Sequence, residues 1–483
     1  MSVAQWRSDW INSRPVFYNS VTKKVSHNMN DVVDWGRFEF DPEGLYNYLR
    51  FGYIVFDKTV IKNVFRLPCN GIVSLVDEGG IVGLDVSCVP DPVLSSLDRT
   101  SSVDECLHKI KKHISNFEAR HPSGGFLLPL SGGHDSRLLL TMIEDKSRIN
   151  AVTYDISMSQ RYSSEVVLAQ ILAHKYGARW ACLNLDDYFK KSYCVRNFDL
   201  FCLEMPIHAS YHIEMFDKAR QIYGSDNVVL SGSVGDWWSG EKVPLPDVRS
   251  WEDAEGLFFN HGISMPLEFI KVGADRSYNE SQIAPVLDLL RESSVFKTVF
   301  SRRGRGGLAS YIYRTAENHF PAYTPFFDFD VAISQLSLPQ SERVDRVWQK
   351  RYFSSVGADV GLVDLPNLSI SADCSQDLQA AIVAGADFVL LKESIFDGLV
   401  DLSRIRWINA SIEGLKNIPL EFMRRVSNGL YAMDNSRAVK TSSGRDFDSI
   451  FSSVIGLGSL NKAIREWTLL LPIQMAVDRA AQG

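Results

Sequence analysis

The residues best suited to chemistry lie in one short stretch, Ser131-Gly132-Gly133-His134-Asp135-Ser136. An apolar run at 126–130 precedes it and apolar Leu138, Leu139 and Leu140 follow. That order predicts a buried strand, a tight loop and a helix start. Paired glycines let a backbone approach an anion closely, and the free N–H groups that open a helix point at it. Ser131 and Ser136 add hydroxyl donors. A bare carboxylate beside phosphates is costly unless a divalent cation lies between them, so Asp135 implies Mg²⁺. No GK[ST] follows the glycines, which sets the loop apart from the common nucleotide-triphosphatase kind.

SGGHDSR resembles the SGGxDS pyrophosphate loop of the ATP pyrophosphatase enzymes, and the surrounding chain is similar to the asparagine synthetase family. The resemblance implies a loop that holds ATP pyrophosphate while a substrate carboxylate attacks the α-phosphorus. The acyl adenylate so formed is opened by an amine or ammonia to an amide. A second segment, NVVLSGSVGDWWSG at 227–240, resembles the family's VVLSGxGxDExFxG, with Ser231, Gly232 and Asp236 on the pattern. On this reading Asp135 and Asp236 hold Mg²⁺ on the polyphosphate. Ser131, Gly132, Gly133, Ser136, Ser231 and Gly232 contact ATP, and Thr153 and Tyr154 stand where the family recognises adenine.

The resemblance also offers Lys350, in RVDRVWQKRYF at 343–353, as the catalytic lysine that meets the adenylate phosphate and leaving pyrophosphate. Arg161, His208, His212, Ser233 and Trp237 are candidates for the substrate wall. His208 and His212 would share one helical face, but HASYH lacks the glutamate of HExxH and offers no third metal ligand. The second loop departs from the pattern three times. Ser233 replaces a glutamate, Trp237 replaces an acidic residue, and the second glycine is displaced, with Val234 at its place and Gly235 one later. These changes move weight away from aspartate and towards a larger acid, because a stacked Trp ring suits a sugar, aromatic or peptide substrate.

The rest of the chain must position these loops. At 483 residues with 45% hydrophobic and 23% charged residues, it has the composition of a globular protein of two or three domains. A formal charge of −7 gives no electrostatic reason to expect nucleic acid or anionic membrane as partner. Seven scattered cysteines without a CxxC pair read as thiols of a cytoplasmic protein. The opening MSVAQWRSDW has no signal-peptide regions, and no apolar run reaches membrane-spanning length.

The expected fold class is α/β: a parallel-sheet ATP pyrophosphatase domain with a helical C-terminal part and a small β-rich N-terminal domain. Residues 1–92 read as the truncated, glutaminase-like β-rich domain, with extended runs either side of a turn at Thr22-Lys23-Lys24 and further runs at 59–67 and 71–75. Asp41 and Pro42 there begin a helix. Residues 93–123 are linker and helix, 124–360 the ATP-binding domain, and 361–483 its helical completion, with helices at 378–400, 405–423 and 459–481. Strands are expected at 149–154, 179–185 and 228–230, and a helix from Ser163 that Gly177 ends. The basic run 301–307 reads as an anion-binding loop or exposed turn.

A full glutaminase domain is longer and starts on cysteine. Position 2 is serine, so ammonia or another amine comes from solution, from a separate glutaminase subunit, or from the substrate itself. The expected activity is therefore that of an ATP-dependent carbon–nitrogen ligase using ATP and Mg²⁺ on a small-molecule or peptide carboxylate, with a sugar uronic acid favoured. Peptide or lactam closure and a non-catalytic nucleotide-binding scaffold are the alternatives. Thiolation or tRNA modification is disfavoured by the lack of paired reactive cysteines.

Overall fold

The computed structural model describes residues 4–78, 81–155, 164–240, 247–259, 263–273, 277–304, 306–360, 389–415 and 457–482. Among the described residues, eleven strands lie in three sheets. The first six are β1 (Gln5–Arg7), β2 (Phe17–Asn19), β3 (Val25–Ser26), β4 (Val64–Arg66), β5 (Gly71–Glu78) and β6 (Ile81–Cys88). They form two antiparallel three-stranded sheets of order β1-β5-β6 and β3-β2-β4. The turn expected at Thr22-Lys23-Lys24 joins β2 to β3, and Lys23 takes the left-handed conformation it needs, with φ 60°.

The other five are β7 (Gly125–Pro129), β8 (Ile149–Asp155), β9 (Arg179–Asn184), β10 (Asn227–Leu230) and β11 (Ala322–Tyr323). They make one wholly parallel sheet of order β11-β10-β7-β8-β9. Parallel sheets are covered on both faces, and this one is. On β7, Leu127 joins a hydrophobic cluster with Val152, Val229 and Leu183, while Phe126 and Leu128 join another with Ala151 and Leu230. The two-residue period thus divides each strand between two cores. A bridge of side chains sets the register at the strand starts: Asn150 Nδ2 donates to Asn227 Oδ1 at 2.7 Å, crossing over Gly125. A Cβ on Gly125 would lie 2.3 Å from Asn227 Oδ1, so the bridge needs glycine there.

The N-terminal segment shares these cores. Met29, Leu45, Tyr48 and Val64 lie in the Leu127 cluster, and Trp10, Phe51 and Tyr53 in the Phe126 cluster. The helix Pro42–Phe51 begins as its sequence predicts: Asp41 accepts from Gly44 N, Pro42 occupies the first turn, and Gly52 ends it at φ 82°. From this helix the Tyr48 hydroxyl donates to Leu469 O at 3.0 Å, tying it to the C-terminal helix Leu457–Ala480.

Two local expectations fail. The run 301–307 is no exposed anion loop: residues up to 304 complete the helix Ser294–Gly304, and Gly306–Glu317 is a second helix. Arg303 there pairs with Asp91 and donates Nε to Trp10 O at 2.7 Å, so tertiary partners use the basic charge. The helix expected at 378–400 is reduced, within the described part, to Glu393–Phe396. Asn409 and Gln474 side chains bind the backbone of Leu391 and Lys392 in place of helical partners, and Gly398 at φ 75° closes the turn. Residues 361–388 and 416–456 of the expected helical part lie outside the described residues.

Candidate functional site

Chain order along the parallel sheet reverses at β7. From β7 the chain moves outward to β8 and β9, then returns across the sheet to β10 on the other side. The carboxyl ends of β7 and β10 are therefore a topological switch point, where α/β sheets leave a crevice because the connections diverge. Both candidate loops leave from these ends. The pairing of Asn227 with Gly125 and Val229 with Leu127 sets them side by side.

The two loops are built alike. Ser131 Oγ accepts from Gly133 N at 3.2 Å, and Ser231 Oγ accepts from Ser233 N at 3.1 Å. In the first loop Ser136 Oγ also lies 3.2 Å from Ser131 Oγ and accepts from Ser131 N. Each loop feeds a helix, His134–Met142 and Gly235–Ser239, and neither has a side-chain cap. Some helices elsewhere are capped, as by Ser102 on Val103–Arg120 and Asp41 on Pro42–Phe51. Others, such as Lys191–Phe201 and Phe329–Leu336, are not, so it is the convergence of the two loops rather than the missing caps that sets them apart. Opening-turn donors left without a side-chain cap are what an anion site requires.

The loops also touch. A Cβ on Gly232 would lie 2.8 Å from Ser136 N, and one on Gly235 would lie 2.6 Å from both Cγ and Oδ1 of Asp135. The displaced glycine of the second loop thus lets the chain pass against the Asp135 carboxyl. Val234 is held at φ 64°, where a β-branched residue is strained.

A cavity of about 250 Å³ opens above the loops. Its wall includes Ser131, Gly133, Asp135, Ser136, Thr153, Tyr154, His212, Ser231, Gly232 and Ser233, all singled out in the sequence. Gly132 lies between them, its carbonyl accepting from Arg137 Nη2 at 2.7 Å. Thr153 supports the strand ends: its hydroxyl donates to Leu130 O and accepts from Trp180 Nε1. Tyr154 and His212 belong to an aromatic group with Tyr211.

The remaining candidates are elsewhere or undescribed. Asp236 is half-buried in the second loop's helix but off the cavity wall. Trp237 packs under Arg302, whose guanidinium carbon is 5.3 Å from the ring centroid, while Trp238 is core, 5.4 Å from Trp10. Lys350 is exposed and does not line the cavity. Arg161 lies outside the described residues, and His208 falls in the 3-10 turn Ile207–Ser210, its side chain likewise outside them.

The segment 343–353 sends different residues to the loop. Asp345 and Arg346 are both left-handed, with φ 51° and 54°, so the helix proper starts at Val347. This break brings Arg346 onto the cavity wall with Nη1 3.9 Å from Asp135 Oδ2, while Gln349 Nε2 donates to Asp135 Oδ1 at 3.3 Å. Arg137, only 1% exposed, donates to Gly132 O and to Ala358 O and so clips the loop to the end of that helix. Burial, together with Arg346, Arg137 and Lys350, pushes His134 down to about 4, leaving it neutral at pH 7. Three cations, Arg346, Arg137 and Lys350, thus act at the loop, against the carboxylates of Asp135 and, across the cavity wall, Glu165.

Sequence reading passed over Arg346, Gln349 and His134, and also Met215 and Ile312, which supply apolar wall. Composition marked the 343–353 segment as basic but could not choose among its cations. Among the described residues Asp186, Asp187 and Glu214 form the one group of three or more His, Cys, Asp or Glu side chains spaced for a metal. Fully buried Glu214, however, accepts from the backbone of Asp186 and Asp187 and from Lys218, which explains the cluster structurally. No described helix is long and apolar enough to cross a membrane. No protein-family model matches the chain, and no curated protein matches it.

Proposed function

We propose that the chain is an ATP-dependent amide-forming ligase of the asparagine synthetase-like, ATP pyrophosphatase type, working in the cytoplasm on a carboxylate larger than aspartate. One observation carries this reading. Two Ser-Gly loops with uncapped helices converge at a switch point on one cavity, and a carboxylate and an arginine meet there. The first-loop N–H groups and Ser131 hold the pyrophosphate end of ATP. Arg346 takes the role the resemblance offered to Lys350, balancing charge on the phosphates as pyrophosphate leaves. Asp135, with Asp236 from the neighbouring loop, would hold Mg²⁺, which supplies charge neutralisation on the polyphosphate. Close backbone approach at Gly232 and Gly235 and the Asp135 carboxylate on the cavity wall fit such a group. The substrate carboxylate attacks the α-phosphorus, and an amine, ammonia or a partner glutaminase's product captures the acyl adenylate.

Trp237 lies under Arg302, which removes the stacking argument for a sugar; a uronic acid, a peptide and a lactam precursor are then tested on equal terms. The test is pyrophosphate release from Mg²⁺·ATP against such acids, with and without ammonium. Release that needs one acid and disappears in Asp135→Ala supports the ligase; ATP binding without release from any acid rejects it. A second reading, a nucleotide-binding scaffold, is favoured by the positions of Asp236 and Lys350 off the cavity wall.

A further inference from the structure

We propose that Arg346 is a specificity-determining residue: it makes Asp135 accept a divalent cation only together with a polyanion. The proposal rests on the nucleotide reading above only in taking that polyanion to be ATP. Arg346 Nη1 stands 3.9 Å from one oxygen of Asp135, and Gln349 Nε2 donates to the other at 3.3 Å. Both oxygens of the carboxylate therefore already face positive or donor groups.

The arrangement is built in. Arg346 is 8% exposed and left-handed, and strained backbone of this kind persists only where its surroundings enforce it. Those surroundings are close-packed: Trp348 Nε1 donates to Ser239 O at 3.1 Å, and Gly240 lies against Arg343 so tightly that a Cβ would meet Arg343 O at 2.3 Å. Arg346 therefore has little freedom to swing away. The same field includes Arg137 and Lys350, both of which act on His134 along with Arg346.

A dication placed on Asp135 alone shares one carboxylate with a guanidinium in a largely buried site, where like charges repel more strongly than in water. Even with Asp236 and the cavity-wall Glu165 counted, the dication together with Arg346, Arg137 and Lys350 leaves the group net positive. A polyphosphate reverses the balance, because its oxygens serve the metal and Arg346 together. Arg346 thus discriminates against free cations and admits the metal–nucleotide pair as a unit. The absent lysine contact is not simply replaced: the arginine also acts on the metal's own ligand.

The test uses the full chain and Mn²⁺ as probe, with the Mn²⁺ retained on the protein measured by equilibrium dialysis, first alone and then with ATP, whose own Mn²⁺ complex distributes equally across the membrane and is subtracted. The parent should bind Mn²⁺ alone at least about tenfold more weakly than Mn²⁺ with ATP, a difference of about 1.4 kcal/mol. Arg346→Gln should bind Mn²⁺ alone about tenfold more tightly than the parent and lose most of the ATP effect, while Arg346→Lys keeps the parent's pattern. Asp135→Asn should lose the tight Mn²⁺ in every case. Folded Arg346→Gln, checked by circular dichroism and melting, that binds Mn²⁺ alone no more tightly than the parent overturns the proposal. Tight, Asp135-dependent binding of Mn²⁺ alone to the parent overturns it without any Arg346 variant. If ATP fails to tighten Mn²⁺ on the parent while Arg346→Gln still binds Mn²⁺ alone more tightly, the nucleotide reading falls and the role of Arg346 stands.

Discussion

The first and second loops share a plan and differ in support. The first follows β7 into a nine-residue helix, with Gly133 at φ −70°. It is clipped from behind by Arg137 to Ala358 and faced by Arg346 and Gln349. The second follows β10 through strained Val234 into a five-residue helix, and leans on β11 and its continuation. There Ser231 N donates to Tyr323 O, Thr324 Oγ1 to Ser233 O and Trp238 Nε1 to Phe326 O. Loops of similar build can therefore hold different roles in one site. The first presents the carboxylate and the donors, and the second closes the wall by approaching it without a Cβ.

That division predicts unequal consequences. Asp135→Ala should lower pyrophosphate release by about 10³-fold, whereas Asp236→Ala, off the wall, should lower it only about tenfold; equal losses would erase the distinction. Gly232→Ala should cost about 1–3 kcal/mol in a denaturant melt, because the obstructing atom is backbone. Gly235→Ala meets the Asp135 side chain instead, so it should weaken Mg²⁺·ATP binding about tenfold in calorimetry while costing less stability than Gly232→Ala.

Strain in the second loop gives a smaller effect. Val234 and Val229 are both buried, but only Val234 is left-handed. Val234→Gly should therefore cost about 1–2 kcal/mol less stability than Val229→Gly, since it relieves that conformation.

The smallest effect concerns the second loop's support. His113 Nδ1 lies 3.0 Å from Asp328 Oδ2 and Nε2 3.0 Å from Asp330 Oδ1, and Tyr323 donates to Asp328. Hydrogen bonds to Asp328 raise the His113 pKa above its ordinary value, and Asp330 adds to the shift. A raised histidine pKa contributes stability that is full below about pH 6.5 and lost as pH rises through the folded value. Melting from pH 6 to 8.5 should show the parent's advantage over His113→Gln, about 1 °C at the acid end, shrinking with pH. A gap independent of pH would assign His113 to packing alone.

Much of the first loop was legible because its determinants are local. The apolar run, two glycines and apolar helix face of 126–140 specify strand, loop and helix within one short stretch, and Asp41 caps its helix through a contact three residues away. The basic run 301–307 misled for the opposite reason. Arg303 finds Asp91 and Trp10 more than 200 residues away, and no local pattern announces such partners. Trp237 was placed in the right loop, but which way its ring faces depends on Arg302 from another helix.

By itself the sequence determined the strand-end loops, their carboxylates, the α/β alternation and the capped helices, since hydrophobic period, glycine and capping chemistry act over a few residues. Tertiary structure alone decided that the two loops stand side by side, because strand order and register arise from pairing β7 with β10 about 100 residues later. It also decided which cation reaches Asp135. In RVDRVWQKR every basic residue is a chemical candidate, and only the left-handed turn at Asp345 and Arg346, held by distant packing, brings Arg346 to the wall and leaves Lys350 in solvent.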